Sequence, residues 1–392
     1  MEQVTSQPAD GRVPALDGLR AIAILMVLVN HLFIPKATGG VSTALHVVLS
    51  PTWLGVDLFF VLSGYLITGI LLRSRDAPHY FLSFYLRRAL RIFPAYYAVL
   101  ALVLAALLVA QEPGAKTVSG LAAGMFFTYV QNWWPVWLGS AGFLINADPL
   151  WSYAAHFWSL GIEEQFYLLW PALLYLLPRQ QVANSLAGLY LLVLTSKLAL
   201  WLSGADAMLL FYGTSSRCDA LILGAWVAAR EYENRPIAAV THAWIGWVLA
   251  AFAVVIHSYY VHLWPKSYWQ RLFDEAVPLT AVAALCFAWT LARIRHGSGG
   301  TFSCRLLCNT WMAWLSRLSY SLYLVHLPIQ HLLTPPLTTV FQIQGLSVNT
   351  AHLLAGLVIL PICIGAAMLL YHGLEMPILG RRSQIEARLL RR

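Results

Sequence analysis

Residues 14–34 read Pro14-Ala-Leu-Asp17-Gly-Leu-Arg20-Ala-Ile-Ala-Ile-Leu-Met-Val-Leu-Val-Asn30-His31-Leu-Phe-Ile34. A nearly unbroken apolar run of this length matches a membrane-crossing helix, which needs about 20 residues. It has no small-residue cleavage site and continues into the protein, so it reads as a first span rather than a removed signal. Yet it carries Asp17, Arg20 and His31. A charge at mid-bilayer costs about 2.5–3.5 kcal/mol, so such residues call for partners and a function.

The rest of the chain repeats this character. Apolar stretches lie at 53–72, 89–110, 156–177, 184–203, 217–230, 240–262, 276–294, 311–333 and 350–372. A further stretch, 117–138, is also apolar but rich in Gly, Trp and Asn, and reads either as a further span or as a re-entrant or interfacial piece. Of the 392 residues, 59% are hydrophobic and 11% charged, and the mean hydropathy is +0.66. Soluble domains carry about 25% charged residues. This composition excludes a soluble enzyme, a disordered chain and a DNA-binding domain. The expected fold is an all-α polytopic membrane protein with about ten transmembrane helices. Its expected parts are a cytoplasmic N-terminal segment (1–14), a transmembrane domain (15–372) and a basic cytoplasmic tail (373–392).

The formal charge is +8. There is no dense Lys/Arg tract of the kind nucleic acid needs, and the excess reads as loop charge. With 117–138 not crossing, one side holds Arg12, Arg73, Arg75, Arg87, Arg88, Arg91, Arg179, Arg230, Arg235, Arg293, Arg295, Arg305 and the five tail arginines. The other holds only Lys36, Lys116, Arg217, Lys266 and Arg271. The positive-inside rule then puts both termini in the cytoplasm. Five cysteines, including the pair Cys304 and Cys308, form no disulfide framework and no zinc-like spacing, so no metal is expected.

Several polar residues stand out. Arg20 and His31 are eleven apart, which returns them to nearly one helix face, about 16 Å apart along the axis. Asp17 falls near the same stripe. In Gly55-Val-Asp57-Leu-Phe-Phe-Val-Leu-Ser63-Gly64-Tyr65, the small Ser63 and Gly64 suit close helix packing, and Asp57 sits near the outer end. Arg87, Arg88 and Arg91 open a helix on the cytoplasmic side; guanidinium forks match phosphate oxygens, of a ligand or of anionic lipid. His156, Glu163 and Tyr167 share a helix face, and the adjacent carboxylates Glu163 and Glu164 suit orienting a histidine or holding a proton. Tryptophans cluster at 133–137 and 151–158, Trp158 among them, as an anchoring belt or a substrate lining. Arg217 and Asp219 read as a pair, and His326 lies inside a late span, where a structural hydrogen bond competes with chemistry.

Taken in order, these motifs resemble the acyltransferase type 3 family of integral membrane O-acyltransferases. The resemblance runs nearly end to end: Leu16-Asp17-Gly18-Leu19-Arg20 with His31; Gly55 to Tyr65; Arg88-x-x-Arg91-Ile-x-Pro94; Trp158-Ser159-Leu-x-x-Glu163; Arg217-x-Asp219; Ser319-Tyr-Ser-Leu-Tyr-Leu-x-His326; and Glu375-x-Pro377. It implies about ten spans and transfer of an acyl group, often acetyl, from acyl-CoA to a hydroxyl. Some members carry a fused hydrolase-like domain; this chain resembles a stand-alone form.

On that basis Arg87, Arg88 and Arg91, joined by Arg20, are expected to hold the phosphates of acyl-CoA. His31 is expected to act as general base on the acceptor hydroxyl or as a covalent acyl relay, with Glu163 or Glu164 orienting it. The Trp-rich segments favour a cell-surface glycan or lipid-linked sugar as acceptor; a small amphiphile such as a macrolide is the alternative within this chemistry. A proton-coupled transporter or flippase is the alternative outside it, although no inverted repeat is visible.

Overall fold

The computed structural model describes residues 13–109, 118–145, 148–235, 268–296 and 306–390, with positions 246, 248, 252, 253 and 257 between them. The expected span 240–262 lies largely outside the described residues. So do residues 1–12, Lys116, Lys266, Cys304, Arg305, Arg391 and Arg392, and the side chain of Arg271. No strand occurs among the described residues.

The helices are α1 (Pro14–Leu32), α2 (Gly40–Leu49), α3 (Gly55–Arg73), α4 (Tyr80–Val109), α5 (Gly120–Phe127), α6 (Trp133–Ile145), α7 (Pro149–Ala154) and α8 (Trp158–Leu176). They continue as α9 (Val182–Leu202), α10 (Ala207–Tyr212), α11 (Thr214–Tyr232), α12 (Tyr268–His296), α13 (Thr310–Ile343), α14 (Val348–Leu370), α15 (Met376–Gly380) and α16 (Arg382–Leu390). Among the described residues, six helical stretches are long and apolar enough to cross a membrane: 14–32, 40–73, 80–109, 182–202, 277–295 and 348–389. The expected spans 156–177, 217–230 and 311–333 are also helical, as parts of α8, α11 and α13, and carry polar or ionisable residues within their apolar runs.

Segment 117–138 is no continuous helix. α5 ends at Phe127, Tyr129 takes a left-handed backbone (φ 57°), and α6 begins only at Trp133. Backbone exposed at such a break needs polar partners inside the protein. Gln165 of α8 donates to the Tyr129 carbonyl and to Asn132 Oδ1, both at 2.8 Å. Asn132 in turn donates to the Tyr212 carbonyl at 2.9 Å, and Thr214 closes the network on Gln165 Oε1 at 2.6 Å. The Trp clusters around this break are largely core: Trp134, Trp151 and Trp158 are buried, and Trp137 is exposed.

The most extensive helix contact is between α3 and α11. It is close because a Cβ at Gly64 would stand 1.8 Å from the Leu221 carbonyl oxygen, and one at Gly224 1.9 Å from that of Val61. Small residues permit this approach, and van der Waals packing across it drives helix association in lipid. Buried charges are paired across the same layer. Arg217 donates to Asp57 at 3.0 Å, both side chains 1% exposed, and Trp53, Trp158 and Phe211 surround the guanidinium at 5.4–5.7 Å. Lys197 of α9 donates to Asp219 at 2.7 Å and to Thr280 at 2.8 Å. The pairing of Arg217 with Asp219 read from sequence is therefore replaced by two inter-helix pairs, because residues two apart on a helix do not face each other. Asp57, read near the outer end of its span, is buried where Arg217 of α11 supplies its counter-charge.

At one end of the bundle the arginine-rich loops meet. Arg75 donates to the Leu177 carbonyl at 2.8 Å, and Arg179 pairs with Asp76. Glu231 accepts from Tyr65 at 2.9 Å and faces Arg295. Glu386 of α16 accepts from Arg87 at 2.9 Å and from Arg382 at 2.8 Å. Partial burial pushes the Glu386 carboxyl up, but the hydrogen bonds and charges of Arg87 and Arg382 outweigh it and hold it below the usual carboxylate range.

Two outcomes follow from these pairs. Removing one partner of the buried pair, as in Asp57→Ala or Arg217→Ala, should destabilise by about 3–5 kcal/mol. The double variant Asp57→Leu/Arg217→Met should recover much of that, measured by thermal unfolding in lipid nanodiscs. A carboxyl held low stabilises above its unfolded value and loses that contribution as pH falls through the folded one. The contact of α16 with α4 should therefore hold at neutral pH and weaken below about pH 4.3. Glu386→Gln should show the weakened state at pH 7, as faster amide exchange confined to 382–390.

Candidate active site

α1, α3, α4, α8 and α13 converge on a cavity of about 720 Å³, counting its mouth. Each helix supplies one face at helical spacing. α3 contributes Val56, Phe59, Phe60 and Ser63; α4 contributes Arg88, Arg91 and Ile92; α8 contributes Ser159, Leu160, Glu163 and Tyr167. α13 contributes Ser319, Tyr320 and Tyr323, and α1 contributes Arg20. Three guanidinium groups thus face a lining whose one carboxylate is Glu163. Glu163 lies within electrostatic reach of Arg20 and Arg88, and Arg88 stacks 5.1 Å over the Tyr167 ring. Ser63 Oγ is hydrogen-bonded to the Tyr167 hydroxyl.

Two carboxylates stand behind this wall. Asp17 accepts from Ser316 at 3.2 Å and adds its field to Arg20. After α14 a π turn, Tyr371–Glu375, buries Glu375, which accepts from Ser321 Oγ and neighbours Arg91.

Tyr323 bounds the cavity. Its hydroxyl donates to the His156 carbonyl at 2.7 Å and is hydrogen-bonded to Ser159 Oγ at 2.6 Å. Beyond it lie His156, His326 and His31. The Tyr323 ring is 5.2 Å from that of His156 and 5.7 Å from that of His326. His326 is 4.7 Å from His156 and 5.0 Å from His31. Ser319, Tyr323 and His326 sit at i, i+4 and i+7 of α13, so one helix face runs from the arginines to the histidines.

Of the residues singled out from sequence, Arg20, Arg88, Arg91, Ser63 and Glu163 meet in the cavity, and His31, His156 and His326 meet beyond it. Others go elsewhere. Arg87 faces Glu386, and Tyr65 faces Glu231. Asp57, Arg217 and Asp219 lie in the ion-pair layer, and Trp158 packs on Arg217. Glu164 lies beside Glu163 and Arg88, among Tyr96, Tyr97 and Tyr320. The carboxylates expected to orient His31 sit at the arginine end instead, beside Arg20 and Arg88; the His31 ring is hydrogen-bonded to the Val27 carbonyl and to the side chain of His326. Sequence reading overlooked Tyr323 and Ser159 as a partition, although their spacing from His326 and Glu163 carried the signal. It also overlooked Lys197, a lone cation in an apolar span.

The site is thus an electropositive cavity within an apolar helical bundle, with three histidines packed beyond Tyr323. The chain belongs to the acyltransferase-domain family, which it matches over residues 13–372. It is 32% identical over 380 residues to a putative peptidoglycan O-acetyltransferase of Bacillus subtilis (strain 168), covering 93% of this chain and 55% of that protein. It is 31% identical over 337 residues to a peptidoglycan O-acetyltransferase of Listeria monocytogenes, covering 83% and 50%. A putative O-acetyltransferase of Staphylococcus aureus (strain COL) is 30% identical over 331 residues, covering 81% and 50%. The chain thus spans about half the length of these relatives. No solved structure matches it.

The cavity charge makes a direct expectation. Arg88→Gln and Arg91→Gln should each weaken binding of a polyphosphate anion by about 10- to 100-fold, the effect of losing one charge-assisted hydrogen bond. The thermal midpoint should hardly move. Titration calorimetry in detergent checks both.

Proposed function

We propose that this chain is a membrane O-acyltransferase that moves an acyl group, acetyl in the first instance, from acyl-CoA to a hydroxyl of a cell-surface glycan. The convergence of Arg20, Arg88 and Arg91 on one cavity carries the reading. These forks suit the phosphates of coenzyme A, and Arg20 opens the helix that bears His31. The relatives named as peptidoglycan O-acetyltransferases support peptidoglycan as the acceptor. Family membership favours group transfer over a transporter without chemistry. The bundle end that gathers Arg75, Arg87, Arg179 and Arg295 is the cytoplasmic one, by charge bias.

The donor enters from that side. Its phosphates rest on the arginines, with Glu163 setting their separation, and the pantetheine arm runs along α1 toward Tyr323. The Tyr323–Ser159 partition yields, and the thioester meets His31. The acceptor O–H gives its proton to the imidazole as its oxygen attacks the thioester carbonyl. The C–O bond forms, the C–S bond breaks, and the thiolate takes up a proton to leave as the free thiol. In the covalent variant the acyl group rests on the imidazole before passing to the hydroxyl, with the same balance. Burial of Trp134, Trp151 and Trp158 leaves Trp137 as the exposed ring in the segment expected to stack on sugars.

Purified protein in lipid should release thiol from acetyl-CoA when given envelope glycan. His31→Ala should lower kcat by about 10²–10⁴-fold, the usual span for a general acid–base group, with the fold retained. Wild-type turnover in His31→Ala would end this mechanism.

A further inference from the structure

We infer that His326 is the positioning residue for His31, holding the proton of that ring on Nδ1 and leaving Nε2 as the reactive nitrogen. The inference rests on the acyl-transfer reading above for its chemistry, and on hydrogen-bond geometry alone for its proton assignment.

The assignment follows from what each partner can do. A carbonyl oxygen only accepts. His326 Nδ1 lies 2.8 Å from the Tyr323 carbonyl and 3.1 Å from that of Leu322, so it carries a hydrogen. In the neutral ring Nε2 is then the lone-pair nitrogen. That nitrogen lies 3.2 Å from His31 Nδ1. His31 Nδ1 also lies 3.0 Å from the carbonyl of Val27, one turn back on its own helix, so it too carries a hydrogen. A single proton arrangement satisfies every contact: His326 Nδ1–H to carbonyls, and His31 Nδ1–H shared between the Val27 carbonyl and His326 Nε2. The Nε2 of His31 makes no hydrogen bond among the described residues and holds the ring's free lone pair.

The two acceptors on His31 Nδ1–H differ in origin. The Val27 carbonyl belongs to α1 and moves with His31. His326 belongs to α13 and fixes the ring against a second helix. His326 is 0% exposed and packs against His156, whose Nε2 faces the Leu324 carbonyl at 3.3 Å. The His31 backbone is held as well, its carbonyl accepting from Gln330 at 2.8 Å. When Nε2 takes the acceptor's proton, Nδ1–H becomes the donor of a cation, and its bond to His326 strengthens. This is the role a carboxylate plays behind a catalytic histidine. A neutral imidazole fills it without placing an unpaired anion in an apolar wall, which would carry a heavy desolvation cost.

Two measurements on the intact protein in nanodiscs test this separately from turnover. In ¹⁵N-histidine-labelled protein, His31 is assigned by the signal lost in His31→Gln. Its Nδ1 should read as protonated and its Nε2 as bare, and His326→Leu should shift the Nδ1 resonance. A proton on His31 Nε2, or His31 resonances unmoved by His326→Leu, would overturn the inference whether or not the protein turns over acetyl-CoA. In the thiol-release assay, His326→Leu should lower kcat by about 10- to 100-fold, the loss of one hydrogen bond to a charged ring, with KM for acetyl-CoA held within about twofold. His326→Gln, which keeps an acceptor, should recover part of kcat. Wild-type kcat in a folded His326→Leu would also overturn it. Absence of turnover in the wild type would count against the acyl-transfer reading and leave the resonances to decide the proton assignment.

Discussion

The buried Asp57–Arg217 pair is the constraint on which the rest of the bundle turns. Neither charge can face lipid, and each is tolerable only because the other lies 3.0 Å away. That pairing fixes the rotation of α3 against α11, and the glycines Gly64 and Gly224 let the two backbones close around it. Once α3 is set, its Val56, Phe59, Phe60 and Ser63 face has one direction left, into the cavity. Trp158, packed on the Arg217 guanidinium, fixes the start of α8 and with it Ser159 and Glu163. The ion pair does not line the cavity, yet two cavity walls, α3 and α8, take their orientation from it.

The site itself is divided. Arginines and Glu163 occupy one compartment and three histidines the other, with Tyr323 and Ser159 between them. This separation suits a reaction whose donor is an anionic, water-soluble thioester and whose acceptor is a glycan. On the proposed reading, the donor's charge would be held where the cations gather. On the same reading, the proton-handling ring would work in apolar surroundings, where hydrogen bonds are stronger and water competes less. Tyr323 stands between the arginine compartment and His326, which adjoins His31.

A second polar layer supports this arrangement at the break between α5 and α6. There Gln165, Asn132 and Thr214 satisfy backbone that no longer serves a helix, tying the broken segment to α8 and α11. Gln165 lies two residues beyond Glu163 on α8 and turns away from the cavity, so α8 braces the break with one face and lines the cavity with the other.

The sequence alone determined what local chemistry can encode. Apolar run lengths gave the helical membrane fold, because lipid admits only segments that satisfy their own backbone. Helical spacing put Arg88 with Arg91 and Glu163 with Tyr167 on shared faces, and all four line the cavity. The ordered motifs indicated the acyltransferase family, and the match over 13–372 bears that out. Spacing within one helix says nothing about which face meets which neighbour, and here only the tertiary structure decided. It sent Arg217 to Asp57 and Asp219 to Lys197, turned Arg87 to the C-terminal helix, and moved Glu163 to the arginines. It also brought His326, 295 residues away in the chain, to the ring of His31. The physical reason is the same in each case. In an apolar medium a polar group must find its partner, and that partner usually stands on another helix.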